Sequence, residues 1–504
     1  MNLKGRKKLA ETRIIEKNHK IIAKSVKGLK WNYFGTFVKI ATQFTIIVIL
    51  MRLVGPKAYG TMAIALSIIA LGNLINDSGL GSYLIQTPKL LLDDIRSCFT
   101  IQLIMSCMVT FIIFFGSDLI GVFFKNNDLI NVMKVLSIGF LFQAFGVISF
   151  NILKKDFEFK KVQIANISSY MVSYAGIGLL MAYSGWGIWS LVFSYLFQTL
   201  LNSLTLYYFV QHTLTLKFIF TKDSLKYFSF GSKALGTNVT NWSIDSLGTF
   251  SIGRLYGPYS LGIYNRTYTL LMYPITFVIN MIQVIMFPLY SKFQDDIILT
   301  RKTILATSYI VSLIMFPISL VFLLFRNEIF QIVFGVYGAE TAGIAIPMIL
   351  SLPLISLANI YGPLFWGQGR VDIELKVQII TAIMYILLIA VFMQFDFESF
   401  IWIAPILYFI RFLLMLMAVL NYLTISIAEY IKSFIPAIKI SLILLILSIA
   451  VLKFNLSNIL SLLVFLLFTI TFFGFLFWKK RSIFMPSNIE KEFFVMAFGR
   501  GVKD

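Results

Sequence analysis

The sequence predicts an all-α polytopic membrane protein of about fourteen transmembrane helices. They form two six-helix lobes related by a parallel pseudo-two-fold repeat, followed by two C-terminal helices. Three observations predict this. The 504 residues are 58% hydrophobic and only 13% charged, more apolar surface than a soluble chain of this size can hide. Apolar runs of about 20 residues recur along the whole length, each able to cross ~30 Å of hydrocarbon as a helix. One pattern, R-L-x-G-P-x-x-x-G, occurs twice, from Arg52 to Gly60 and from Arg254 to Gly262.

In chain order, residues 1–30 carry ten Lys/Arg against Glu11 and Glu16 and precede the first apolar run. They read as a basic cytosolic tail beside anionic lipid. Trp31 to Leu53 is too long for the apolar core of a cleavable signal. The N-terminal lobe takes 31–210, with spans at 31–53, 62–86, 97–116, 130–153, 162–183 and 187–210. The C-terminal lobe takes 225–421, with spans at 225–253, 262–290, 303–325, 342–366, 376–394 and 399–421. Two further spans, 434–452 and 458–478, occupy 434–478, and 479–504 forms a second cytosolic tail. Cys98 and Cys107 open the third span and read as small buried apolar residues, since no extracytoplasmic loop carries a thiol.

Charge sets the orientation. With the N-terminus inside, the inner segments hold 32 of the 43 Lys/Arg and the outer ones seven, so both termini are expected in the cytosol. The net charge of +20 therefore points to membrane topology and not to nucleic acid.

The two motif copies begin 202 residues apart with six spans between them. An even number makes the repeat parallel, about an axis along the membrane normal. Lys161-Val162-Gln163-Ile164 opens span five and Lys376-Val377-Gln378-Ile379 opens span eleven, an echo at 215 residues. Taken singly, Arg52, Gly55, Pro56 and Gly60, like Arg254, Gly257, Pro258 and Gly262, describe a turn. Gly-Pro stops one helix and presets the next, and the arginine reaches toward headgroups. The motif marks architecture better than a binding site.

Several stretches resemble the polysaccharide-exporter branch of the multidrug/oligosaccharidyl-lipid/polysaccharide (MOP) flippase superfamily, closest to its Wzx-type and colanic/teichuronic-acid exporter group. They are Gly28-Leu29-Lys30-Trp31, the R-L-V-G-P-x-x-Y-G link, Asp77-Ser78-Gly79-Leu80-Gly81, Gly262-Ile263-Tyr264-Asn265-Arg266 and Gly367-Gln368-Gly369-Arg370. Their order and spacing carry the resemblance, which spans about residues 28 to 480. It implies two lobes around a central cavity lined by spans 1, 2, 7 and 8, in the cytoplasmic membrane of a bacterium. It implies movement of an undecaprenyl-pyrophosphate-linked oligosaccharide to the outer leaflet for O-antigen, capsule or exopolysaccharide synthesis. Implied partners are that lipid-linked glycan, membrane lipids, and the polysaccharide polymerase and chain-length machinery; nucleic acid is not among them.

No catalytic constellation is legible, and no cofactor or metal is expected. The two histidines, His19 and His212, lie in the tail and an inner loop, and no Walker A sequence provides for ATP. The informative residues are ionisable groups inside spans, where charge is costly unless it faces protein or water. Lys39 in span one and Lys233 in span seven are expected to attract the pyrophosphate, against the plainer reading that each snorkels or pairs. Asp77 and Asp245 are either their counter-ions, the favoured reading, or a proton or sodium site. Arg411 in span twelve faces the lobe interior or pairs with a helix end, with substrate contact as the sharper alternative. Arg266 stands where it would guide phosphates on the outer side, and Lys134 snorkels. Trp242, Tyr273, Tyr33 and Trp366 are candidates to stack on sugar faces. Pro274 and Pro288 permit bending of span eight. An inside-negative potential of 100 mV would favour export of about two negative charges by ~4.6 kcal/mol. The alternatives are a MATE-like multidrug cation extruder, disfavoured because basic groups inside spans outnumber acidic ones, and a lipid II flippase. A membrane glycan polymerase is disfavoured by short outer loops.

Overall fold

The computed structural model describes residues 35–36, 38–77, 81, 84, 90–217, 239, 242–294 and 296–453. Among them the regular structure is helical, as backbone surrounded by lipid requires. Eight of the helices are long and apolar enough to cross a membrane. Span 458–478 and both tails lie outside the described residues. Chain contacts divide the protein into two compact units, Met1–Gly262 and Ile263–Asp504.

The first unit contains α1 (38–54), α2 (Pro56–Asp77), α3 (Leu92–Phe123), α4 (Asn127–Ser137), α5 (Gly139–Lys155), α6 (Phe159–Tyr183), α7 (Ile188–Val210) and α8 (242–255). It also holds the first turns of α9 (Gly257–Lys292). The fourth predicted span is interrupted at Ile138, between α4 and α5. A π-helical segment, Met171–Gly178, lies inside α6. Small residues set the closest packing. A Cβ on Gly146 would lie 2.7 Å from the Cα of Ser203, so α5 and α7 approach backbone to backbone. Leu153, Val162, Ala165 and Leu206 fill the space beside that crossing. Buried polar pairs tie helices together, including Ser106 to Asn76 at 3.0 Å and Asn126 to Thr61 at 2.9 Å.

The segment after α7 folds back over α3 and α5. Lys217 exchanges backbone bonds with the Thr100 hydroxyl, and its ammonium pairs with Asp93 at 2.9 Å. His212 is buried there, its Nδ1 sharing a 2.9 Å hydrogen bond with the Ser149 hydroxyl. Its ring meets Phe99 and Tyr207 edge-on. Cys98 is buried as expected, but Cys107 is exposed. Nine residues along a helix are about two and a half turns, which carries the second thiol to the opposite face of α3.

The second unit takes the rest of α9 with α10 (Ile297–Leu324), α11 (Arg326–Phe334), α12 (Gly338–Gly367), α13 (Val371–Phe392), α14 (Phe397–Ile401), α15 (Ile403–Leu423), α16 (Ile427–Lys432) and α17 (Ile435–Lys453). The centre is α12, packed against α10, α11 and α15 and carrying Pro347, Pro353 and Pro363 inside it. Tyr309, Leu313, Phe325, Ile440 and Leu444 join α10 to α17. Helix α13 exposes Ile379, Ile383, Ile386 and Leu387, an apolar face suited to lipid.

Candidate functional site

The two R-L-x-G-P-x-x-x-G copies adopt the same local geometry. Gly55 and Gly257 stand at φ +83° and +82°, a left-handed conformation that costs any residue with a Cβ. Gly55 separates α1 from α2, which Pro56 opens, while Gly257 is itself the first residue of α9 with Pro258 second, so both copies form the turn the sequence predicts. The two copies also touch reciprocally. A Cβ on Gly60 would stand 1.7 Å from the carbonyl oxygen of Pro258, and one on Gly262 would stand 1.8 Å from that of Pro56. The first turns of α2 and α9 therefore cross in direct backbone contact, which only glycine permits. Around this crossing Arg254 lies over the Phe123 ring at 5.6 Å, and Arg52 is exposed.

Among the other candidates of the first unit, Lys39 is partly buried on α1, with no ion-pair partner recorded among the described residues. Asp77 is the last residue of α2. Lys233 lies outside the described residues. Trp242 uses its polar handle within the protein, donating from Nε1 to the Ser67 carbonyl at 2.8 Å and so tying α8 to α2. Asp245 is exposed on α8. Lys134 forms a 3.0 Å ion pair with Asp118 instead of snorkelling alone.

In the second unit Arg266 is fully buried, its guanidinium over the Tyr337 ring at 5.1 Å. Tyr273 is partly buried about two turns further along α9. Arg411 opens onto a cavity of about 400 Å³ shared with Gln283, Asn359, Trp366 and Glu374. Gln283 stands about 25 Å further along α9 than Arg266, so the two arginines serve different places. Glu374 is the group that sequence reasoning passed over, because the loop before span eleven was extended to Lys376. Helix α13 in fact begins at Val371 and turns Glu374 inward, 9% exposed. Its carboxylate accepts from Trp366 Nε1 and, at 3.1 Å, from Gln378 Nε2. The signal was present as Glu374 and Gln378 four apart, on one helix face.

This fold, with its intramembrane polar groups, defines a polytopic helical membrane protein with the architecture of the MOP superfamily. Two solved structures share it. A lipid II flippase, MurJ, in an inward closed conformation matches with TM-score 0.65 and 16% identity, over 88% of this chain and 99% of that one. An inward-facing multidrug resistance MATE family transporter of the MOP superfamily matches with TM-score 0.60 and 15% identity, over 77% and 96%. Residues 49–340 match the model of the polysaccharide biosynthesis protein family, and the chain belongs to that family. Among curated relatives, the lipopolysaccharide biosynthesis protein WzxC of Escherichia coli (strain K12) is 24% identical over 369 residues, 72% of this chain and 74% of WzxC. The succinoglycan biosynthesis transport protein ExoT of Rhizobium meliloti (strain 1021) is 21% identical over 356 residues, 70% of each.

Proposed function

We propose that this protein moves an undecaprenyl-pyrophosphate-linked oligosaccharide across the bacterial cytoplasmic membrane to supply surface polysaccharide synthesis. The observation that carries the reading is membership of the polysaccharide biosynthesis family on a transporter fold. The names of WzxC and ExoT, biosynthesis of lipopolysaccharide and transport in succinoglycan biosynthesis, place those relatives in the same kind of pathway. Both termini face the cytosol, following the basic-residue asymmetry. The polymerase and chain-length machinery would then receive the glycan on the outer side.

Movement proceeds by alternating access. Lys39 and Lys233 attract the pyrophosphate while the cavity is open to the cytosol, with Asp77 and Asp245 as counter-ions of Lys233 or as a proton or sodium site. A chromosomal deletion should accumulate the undecaprenyl-linked oligosaccharide in the inner leaflet and abolish the surface polymer. The wild-type gene should restore it and the Lys39→Ala/Lys233→Ala variant should not, at equal membrane levels. Surface polymer unaffected by the deletion would overturn the reading. The alternative reading is a lipid II flippase, whose fold the MurJ likeness shares; rescue of cells depleted of their lipid II flippase tests it.

A further inference from the structure

The cavity at Arg411 has chemistry that neither the fold nor the pyrophosphate explains. Two ionisable side chains inside one membrane unit are expensive, and such groups persist where they bind or move something. Glu374 and Arg411 line the same space and act on each other electrostatically, yet no direct ion pair closes the gap among the described residues. Glu374 is held in place by Trp366 and Gln378, and Gln283 is anchored on the Asn359 carbonyl at 3.0 Å. A Cβ on Gly362 would come within 3.1 Å of a Glu374 oxygen, so glycine keeps the carboxylate clear. The indole of Trp366 is 49% exposed although its N–H is engaged.

The first unit holds a natural comparison. A cavity of about 300 Å³ lies among α5, α6 and α7, the helices that the K-V-Q-I echo aligns with α12, α13 and α15. Its polar lining is uncharged: Gln143, Asn166, Gln198 and Asn202, with Asn202 donating to Asn166 at 2.7 Å. A space of this kind therefore forms without any ionised group. The charges in the second unit are an addition that packing does not demand.

We propose that the cavity formed by Gln283, Asn359, Trp366, Glu374 and Arg411 binds one sugar ring of the transported glycan. The inference rests on the transport reading above and names which part of the substrate is recognised. A lone cation would be repelled by Arg411 and a lone anion by Glu374. A neutral ring with adjacent hydroxyls satisfies both, one hydroxyl donating to the carboxylate while its neighbour accepts from the guanidinium. The flat indole supplies the apolar wall that a pyranose face needs, and the volume lies within the range of small-molecule pockets.

The test uses the full-length protein in lipid nanodiscs and saturation-transfer NMR with free glucose, galactose, N-acetylglucosamine and glucuronate. At least one of these sugars should receive saturation and bind in the millimolar range. Affinity should fall at least tenfold in Glu374→Gln and in Arg411→Gln and stay unchanged in Lys134→Ala, with melting temperatures reported for each so that an unfolded variant is set aside. The conservative Arg411→Lys should recover part of the binding. Absence of transfer to every sugar, or equal transfer in folded E374Q and R411Q, overturns the site. A chain that exports glycan but binds no sugar overturns this inference and leaves transport standing. Sugar binding in a chain whose deletion leaves the polymer intact does the reverse.

Discussion

Gly60 and Gly262 are single residues on which a whole contact depends, because the atoms facing them are backbone. An added Cβ at either position would sit well inside van der Waals contact with a proline carbonyl, and backbone cannot rotate away as a side chain can. Gly60→Ala should therefore force the crossing apart, costing about 1–3 kcal/mol. The expected outcome is a lower melting temperature and reduced glycan export at normal membrane level. Gly55→Ala tests a different property, the left-handed φ, at a cost of about 1–2 kcal/mol. His212 gives a prediction in pH. Burial among Phe99, Tyr207 and Ser149 favours the neutral ring and pushes its pKa down from 6.5 to about 4. Nε2 has no hydrogen-bond partner among the described residues, so a second ring proton would be buried without an acceptor. A depressed pKa means that the unfolded chain takes up the proton first. The stability this contributes is complete above about pH 6.5 and is lost as pH falls toward 4. Thermal unfolding of the purified protein should weaken over that window, and His212→Gln should flatten that part of the slope.

At the scale of elements, packing is governed by where small residues fall along the helices. The α5–α7 crossing depends on Gly146 over Ser203, with Gly178 of α6 against the Ser194 hydroxyl nearby. Without a hydrophobic drive between helices in lipid, such close approach supplies most of the association. Gly146→Leu should separate α5 from α7 and lower the melting temperature of the protein, while Gly176→Leu, whose site has open space, should leave it near the wild-type value. Helix α12 presents the opposite case. Three internal prolines would break a soluble helix, yet α12 runs unbroken from Gly338 to Gly367 because its neighbours surround it. Much of this level was legible. Apolar runs marked the long helices, since each run must match the hydrocarbon thickness, but their ends fall up to nine residues away, as for 62–86 against Pro56–Asp77 and 97–116 against Leu92–Phe123. The break at Ile138 was not, because both halves are apolar and only helix packing distinguishes them. The start of α13 was placed five residues late, and that error hid Glu374, the most informative carboxylate of the second unit.

For the whole molecule, the transport reading predicts the phenotype already stated, accumulation of lipid-linked oligosaccharide on deletion and no rescue by the doubly substituted lysine variant. The amino-acid sequence by itself determined the membrane class, since 58% hydrophobic residues in 504 admit no soluble core. It also determined the doubled motif and its glycine-proline turns, because left-handed φ and helix-opening proline are local properties of those residues. The family resemblance was legible too, in short glycine-containing stretches whose order is conveyed by sequence alone. Tertiary structure decided what no local pattern encodes. It set the reciprocal contact of residues 200 apart in the chain, Gly60 with Pro258 and Gly262 with Pro56. It turned Trp242 onto a carbonyl, buried Arg266 against Tyr337, and put Glu374 and Arg411 on one cavity. The reason is physical. A helix fixes which face a side chain occupies, but whether that face meets lipid, a neighbouring helix or a cavity depends on partners distant in the chain.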